Sequence, residues 1–181
     1  EDPCRRMSER SADALLLIDA ATTQCIDCNQ AAADMLGCSN RDELLALHPS
    51  MLSPPSQPDG RASGEKADAM IATALREGSH RFEWIHRSDH RDDFPVDVLL
   101  TVIEANAQPL ILTTWRDISE RKRKEAASRM ILRAVEQSPA SIIITDRQAN
   151  VLYVNPRFTD ITGYTAAEMI GRNPSLLKSG H

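Results

Sequence analysis

One set of residues occurs twice along the chain, and it limits the fold more than any other feature. Asp19, Asn29, Asp34, Gly37, the box Asn40-x-x-Glu43 and Pro49-Ser50-x-Leu52 return in order as Asp146, Asn155, Asp160, Gly163, Thr165-x-x-Glu168 and Pro174-Ser175-x-Leu177. The spacing slips by one residue in each of two turns, where insertions and deletions are tolerated. An order kept in this way predicts an internal repeat. Between the copies lies Asp117 to Glu125, which opens a helical pattern free of Gly and Pro until Pro139.

The pattern within each copy predicts its elements. Leu15 to Ile18 and Cys25 to Cys28 read as an antiparallel hairpin about a polar turn. Asn29 and Asn155 then cap short helices, with Pro156 in the favoured first position of the second. Gly37 and Gly163 end those helices where a left-handed residue is wanted. Asn40-x-x-Glu43 and Thr165-x-x-Glu168 read as capping boxes of a further helix in each copy. Pro49, Pro54, Pro55 and Pro58 break the chain into a loop. From Glu65, the residues Ala67, Met70, Ile71, Ala74 and Leu75 recur at helical spacing and predict one buried stripe, with Gly78 as its stop. Three strands follow: Arg81 to Arg87, Phe94 to Ile103 and Leu110 to Arg116. Their turns are Ser88 to Asp93 and Glu104 to Pro109. Hairpin, helices, then three strands predict an α+β domain, an antiparallel sheet with its helices gathered on one face.

Charge narrows the function classes. Residues 8–118 carry 9 basic and 18 acidic side chains, and residues 119–137 carry 6 and 3. Nucleic-acid binding, which needs a basic face, is therefore not expected. The longest aliphatic run, Ala14 to Ile18, has five residues, against about 20 for a bilayer-spanning helix. No membrane segment or signal peptide is expected in this sequence. Cys4, Cys25, Cys28 and Cys38 are too few and too irregular for a disulfide framework, so reduced thiols and a cytoplasmic location are expected. Cys25-Ile26-Asp27-Cys28 has the spacing of a redox or half-zinc motif. However, no second ligand pair follows, and the motif sits in a strand rather than at a helix start.

In both copies these residues resemble the PAS sensory family. The resemblance rests on the order of elements, the strand-closing Asn29 and Asn155, and the helix-ending Gly37 and Gly163. It rests also on Asp117-Ile118-Ser119, which looks like the family's terminal Asp-Ile-Thr, and on Tyr153 to Tyr164, the most family-like segment. Asp89 is followed by His90 where family members commonly have Asp-Gly. The resemblance implies a five-stranded antiparallel sheet with helices on one face, then a linker helix and a partial second unit. The expected divisions are an N-terminal arm or cap helix over 1–12, a complete PAS-like domain over 13–118, a signalling helix over 119–138 and the front part of a second PAS-like domain over 139–181.

It further implies a sensor or interaction module with any ligand held between the helices and the inner sheet face. Phe82, Trp84 and His86 alternate on one strand face, as do Phe94, Val96, Val98, Leu100 and Val102 on the next. Met70, Leu75, Phe82, Trp84, Val98 and Leu100 are the ligand-pocket candidates, though any core needs such side chains. Asp117, Ile118 and Ser119 are the signal-coupling candidates. No light-sensing Asn-Cys-Arg context is present. His48 and His80 are the histidines nearest the long helix for a haem, and Asn173 to Gly180 resembles redox-flavin members; neither cofactor is favoured.

No phosphate loop, metal-ligand pair or activated nucleophile stands out, so neither catalytic nor metal-binding residues are expected. The expected partners are a second copy of the chain as a homodimer, an output domain in the same protein and a small molecule. Pro174 to His181 resembles PAS domains that precede cyclic-di-GMP synthesis and breakdown domains, with histidine kinases the next choice. A ligand-free dimerisation and relay module is the alternative.

Overall fold

The computed structural model describes residues 11–47, 49–88, 91–105 and 108–175. Residues 1–10 of the arm expected over 1–12, His48, Asp89 and His90, and Leu176 to His181 lie outside them. The chain divides into two compact units, Glu1–Lys122 and Arg123–His181.

The first unit is built on five strands: β1 (Ala14–Asp19), β2 (Cys25–Cys28), β3 (Ser79–Ser88), β4 (Arg91–Ala105) and β5 (Gln108–Asp117). They form one antiparallel sheet in the order β2-β1-β5-β4-β3. Between β2 and β3 run α1 (Gln30–Leu36), α2 (Arg41–Ala46), a 3₁₀ turn (Pro49–Leu52) and α3 (Ser63–Glu77). The core lies between these helices and the inner sheet face, with Leu16, Ala32, Leu44, Ala74, Val96, Val98 and Ile111 buried.

Asn29 ties the two layers together. Its Oδ1 accepts from Ala32 N at 3.0 Å, capping α1, and from Leu15 N at 2.9 Å in β1. Its Nδ2 donates to the Asp13 carbonyl at 3.0 Å. Gly37 ends α1 at φ 83°, a left-handed angle that suits a residue without a Cβ. The α2 cap departs from the expected box: Asn40 accepts from Glu43 N at 2.9 Å, but the Glu43 carboxylate reaches back to Ser39 N at 2.6 Å.

Helix α3 corrects one expectation. Its inner side runs Ser63, Ala67, Met70, Ile71, Ala74, whereas Leu75 is 43 % exposed. At about 100° per residue, Leu75 stands roughly 100° from the centre of that stripe. The i, i+8 spacing placed it on the flank, and Ala74 takes the buried position.

Helix α4 (Ser119–Glu136) follows β5. In the second unit, β6 (Ile143–Thr145) pairs with β7 (Val151–Val154), and α5 (Pro156–Thr162) and α6 (Ala166–Met169) follow. Asn155 repeats the Asn29 arrangement: Oδ1 accepts from Phe158 N at 3.1 Å and Ile142 N at 2.9 Å, and Nδ2 donates to the carbonyls of Val135 and Ala140. Thr165 and Glu168 close both halves of the capping box on α6. Val151, Val154, Phe158 and Met169 form a small core, and Ile144, Leu152, Ile161 and Ile170 are exposed. No helix among the described residues is long and apolar enough to cross a membrane.

The Asn29 side chain is 2 % exposed as a residue and holds three backbone groups. Asn29→Ala is expected to cost about 3 kcal/mol, because those groups are left buried without partners. Asn40→Ala, at an exposed cap, is expected to cost about 1 kcal/mol. Urea unfolding of both variants, followed by tryptophan fluorescence, checks the ordering.

Candidate functional site

The inner sheet face and α3 line a partly open cavity of about 400 Å³. Its floor is Phe82, Trp84 and His86 from β3, Val98 and Leu100 from β4, and Thr113 and Trp115 from β5. Its roof is Ala67 and Ile71 of α3 with Leu52, Ser53, Pro54 and Pro55 of the preceding loop. The period-two alternation of the strands is what aims these side chains to one side. Four of the six sequence candidates, Phe82, Trp84, Val98 and Leu100, meet there. Met70 and Leu75 are not in its wall: Met70 packs against the core with its Sδ 3.2 Å from His80 Nε2, and Leu75 is on the exposed flank of α3. His86, Thr113 and Trp115 complete the site. Alternation marked His86 as inward, and the same rule applied to β5 would have found the other two.

The loop before α3 is fastened to the sheet by polar contacts. Gln57, 3 % exposed, accepts from Ile85 N at 2.8 Å and donates to the Ile85 carbonyl at 3.3 Å and to Ser63 Oγ at 2.9 Å. Trp84 Nε1 donates to Ser53 Oγ at 2.9 Å. Lys66 pairs with Asp59 at 2.8 Å, its ammonium 5.7 Å from the Trp84 ring centre.

His86 is the unusual group in the wall. Its Nδ1 lies 2.7 Å from the Leu52 carbonyl, which only accepts, so Nδ1 carries the proton and Nε2 presents a lone pair. Nε2 is buried without a partner among the described residues, as is Thr113 Oγ1. The imidazole lies against Trp115, centroids 4.1 Å apart, and near Phe94 at 6.2 Å. Burial pushes the His86 pKa from 6.5 down to about 4, against the opposing effect of the Leu52 bond.

Cys25 does not offer a reactive thiol. Burial, reinforced by Cys28, pushes the Cys25 thiol up to about 11, which leaves it protonated and weakly nucleophilic. Among the described residues no cluster of three His, Cys, Asp or Glu is placed to hold a metal ion.

The coupling candidates stand at the β5–α4 junction. Asp117 Oδ1 accepts from Ser119 N at 2.8 Å, capping the start of α4. Ile118 is buried, and its N donates to the Pro95 carbonyl at 3.1 Å. A residue that sequence reasoning missed fastens the first turn: Glu83 of β3 holds Arg121 at 2.8 Å and Lys122 at 2.5 Å. Lys122 first, then Arg121, holds the Glu83 carboxyl below the usual carboxylate range. Nothing in the spacing pairs residues 38 positions apart.

A buried neutral histidine makes stability depend on pH. Above pH 6.5 neither state binds the proton; as pH falls toward 4, the unfolded chain takes it up and the native His86 does not. Stability is expected to fall by about 3 kcal/mol across that window. In His86→Phe this fall should be largely absent, as urea unfolding at both ends of the window will measure.

The family model described as PAS domain matches residues 12–120, and that described as PAS fold matches residues 129–179. The nitrogen fixation regulatory proteins of Klebsiella oxytoca and Klebsiella pneumoniae are each 47 % identical over 45 residues, 25 % of this chain. The match spans only 9 % of their length. Among solved structures, a PAS domain from Colwellia psychrerythraea has a TM-score of 0.54 at 18 % identity, covering 64 % of this chain and 94 % of that one. The PAS domain of nitrogen regulation protein NR(II) from Vibrio parahaemolyticus scores 0.52 at 18 %, covering 65 % and 100 %. That of a LuxR-family transcriptional regulator from Burkholderia thailandensis, in complex with ethanol, scores 0.51 at 19 %, covering 66 % and 99 %. The last three likenesses concern the fold alone. With a PAS domain model matching more than half of its length over the sheet and helices described above, the chain belongs to the PAS domain family.

Proposed function

We infer that this chain is a non-catalytic sensory and relay module of a cytoplasmic signal-transduction protein, in which a small molecule held in the first-unit cavity biases α4. The observation that carries this reading is the continuity from cavity wall to helix start. Phe82 and Trp84 line the cavity, and Glu83 between them faces the other side and grips Arg121 and Lys122. Trp115 lines it too, two residues before the Asp117 cap. A guest that shifts β3 or β5 therefore acts on the first turn of α4 through fixed contacts, a two-state bias of the kind a sensor needs.

The repeated residues and the match at 129–179 support a second PAS-like unit after the relay helix. The resemblance of Pro174 to His181 favours a cyclic-di-GMP turnover domain as the output, with a histidine kinase next. A ligand-free dimerisation module is the competing reading. Its support is the α4 stripe, where Met130 and Ile131 are 75 % and 65 % exposed and continue the spacing of Ala127, Ala134 and Val135. Such a stripe suits a homodimeric helix pair.

Mass spectrometry of the purified, denatured chain is expected to release a small molecule in stoichiometric amount; an empty protein that still signals would favour the ligand-free reading. The relay has its own test. Glu83→Gln is expected to speed hydrogen exchange at the amides of Lys122 to Ala126 while changing global stability by less than about 1 kcal/mol, since the ion pairs are exposed. Unchanged exchange would remove Glu83 from the relay.

A further inference from the structure

We propose that the first-unit cavity takes an uncharged, ring-containing small molecule that donates one hydrogen bond, from a hydroxyl or an N–H, to His86 Nε2. The inference rests on the reading of this cavity as a ligand site and narrows what that ligand is.

The wall excludes charge. Of the lining residues only Asp68, on the exposed side of α3, is an acidic or basic residue besides His86, which is neutral. A carboxylate or phosphate in its depth would meet no cation of the wall, since Lys66 lies outside the lining and is already paired with Asp59, and a buried ammonium would find no carboxylate in the interior. The wall also favours rings. Phe82 and Trp84 meet edge to face at 5.8 Å, and Trp115 and the imidazole stand at 4.1 Å, so flat faces and edges are offered on more than one side. A volume of about 400 Å³ falls at the small end of ligand pockets, which suits one or two rings.

The imidazole sets the direction of the hydrogen bond, because the other unpaired group of the wall, Thr113 Oγ1, can donate or accept and imposes none. The Leu52 carbonyl takes the Nδ1 proton, which leaves His86 with an acceptor at Nε2 and no donor for it among the described residues. A guest with a hydroxyl or N–H relieves a buried unpaired acceptor, and a guest that only accepts does not.

The chain has two tryptophans, Trp84 and Trp115, and both line the cavity, so fluorescence excited where phenols do not absorb reports occupancy directly. The probes are p-cresol, toluene and 4-methylbenzoate, which share a ring and differ in the polar group. In the unaltered chain p-cresol is expected to bind at least about fivefold more tightly than toluene, with no saturable response to the carboxylate. A merely apolar cavity would rank toluene first. In His86→Phe, which keeps a ring against Trp115, toluene is expected to bind as before while p-cresol loses its advantage. Retained toluene binding also shows that the variant is folded around its cavity.

Toluene binding as tightly as p-cresol in the unaltered chain, the carboxylate binding best, or a preference for p-cresol that survives His86→Phe would each overturn the proposal while leaving a ligand cavity in place. Failure of all three probes would overturn it together with the ligand-site reading. A Soret band on adding haemin that disappears in His86→Phe would also overturn it, by giving Nε2 to iron.

Discussion

A buried amide side chain is the interaction on which the rest of this architecture depends. Asn29 satisfies the first turn of α1 and the start of β1 with one oxygen and the Asp13 carbonyl with its nitrogen. Serine or aspartate would cap the helix as well, but an ionised aspartate has no donor, and serine would have to make all three bonds from a single oxygen on a shorter side chain. Because the group is buried, each of those bonds is made against a costly alternative, an unpaired backbone group away from water. The same solution at Asn155 closes the smaller unit. With helix and strand locked at that corner, α1 and its successors lie over the inner sheet face, and the space left between them and β3, β4 and β5 becomes the cavity.

The cavity persists because its roof is held by polar contacts rather than by filling. Strand β3 ends the sheet, so its outer backbone groups need partners. Gln57 supplies them at Ile85 as a strand would, and then reaches Ser63 at the start of α3. Together with Trp84 and Ser53, this fastens the proline-broken loop to the sheet without pushing side chains into the space beneath. Apolar residues could cover the same area only by packing inward, which would fill the site.

The alternation of β3 divides its work between two faces. Phe82, Trp84 and His86 face the cavity; Arg81 and Glu83 face outward, where Arg81 pairs with Asp97 and Glu83 with the start of α4. Site and relay contact are thus on adjacent residues of one strand, separated by the thickness of the sheet. Any displacement of the strand is shared by both, which follows from backbone geometry rather than from a chain of side-chain contacts.

Local chemistry made much of this legible in the sequence. Asn29, Gly37, Asn155 and Gly163 announced their caps because capping depends on residues three or four positions apart. Period-two alternation placed Phe82, Trp84, Val98 and Leu100 on an inner face and so in the cavity wall. What failed was phase and distance. Leu75 matched the helical spacing, but only packing decided which arc of α3 faces inward, and the buried place went to Ala74. The Glu83 contact with Arg121 and Lys122, the Gln57 contact with Ile85 and the Leu52 carbonyl that sets the His86 proton all join residues far apart in the chain. The sequence alone determined the order of helices and strands, their bounds to within a few residues and most of their apolar sides, since those are short-range properties of the backbone. Only the tertiary structure decided which polar groups meet across the sheet and which, like His86 Nε2, are left without a partner, because that depends on how whole elements pack.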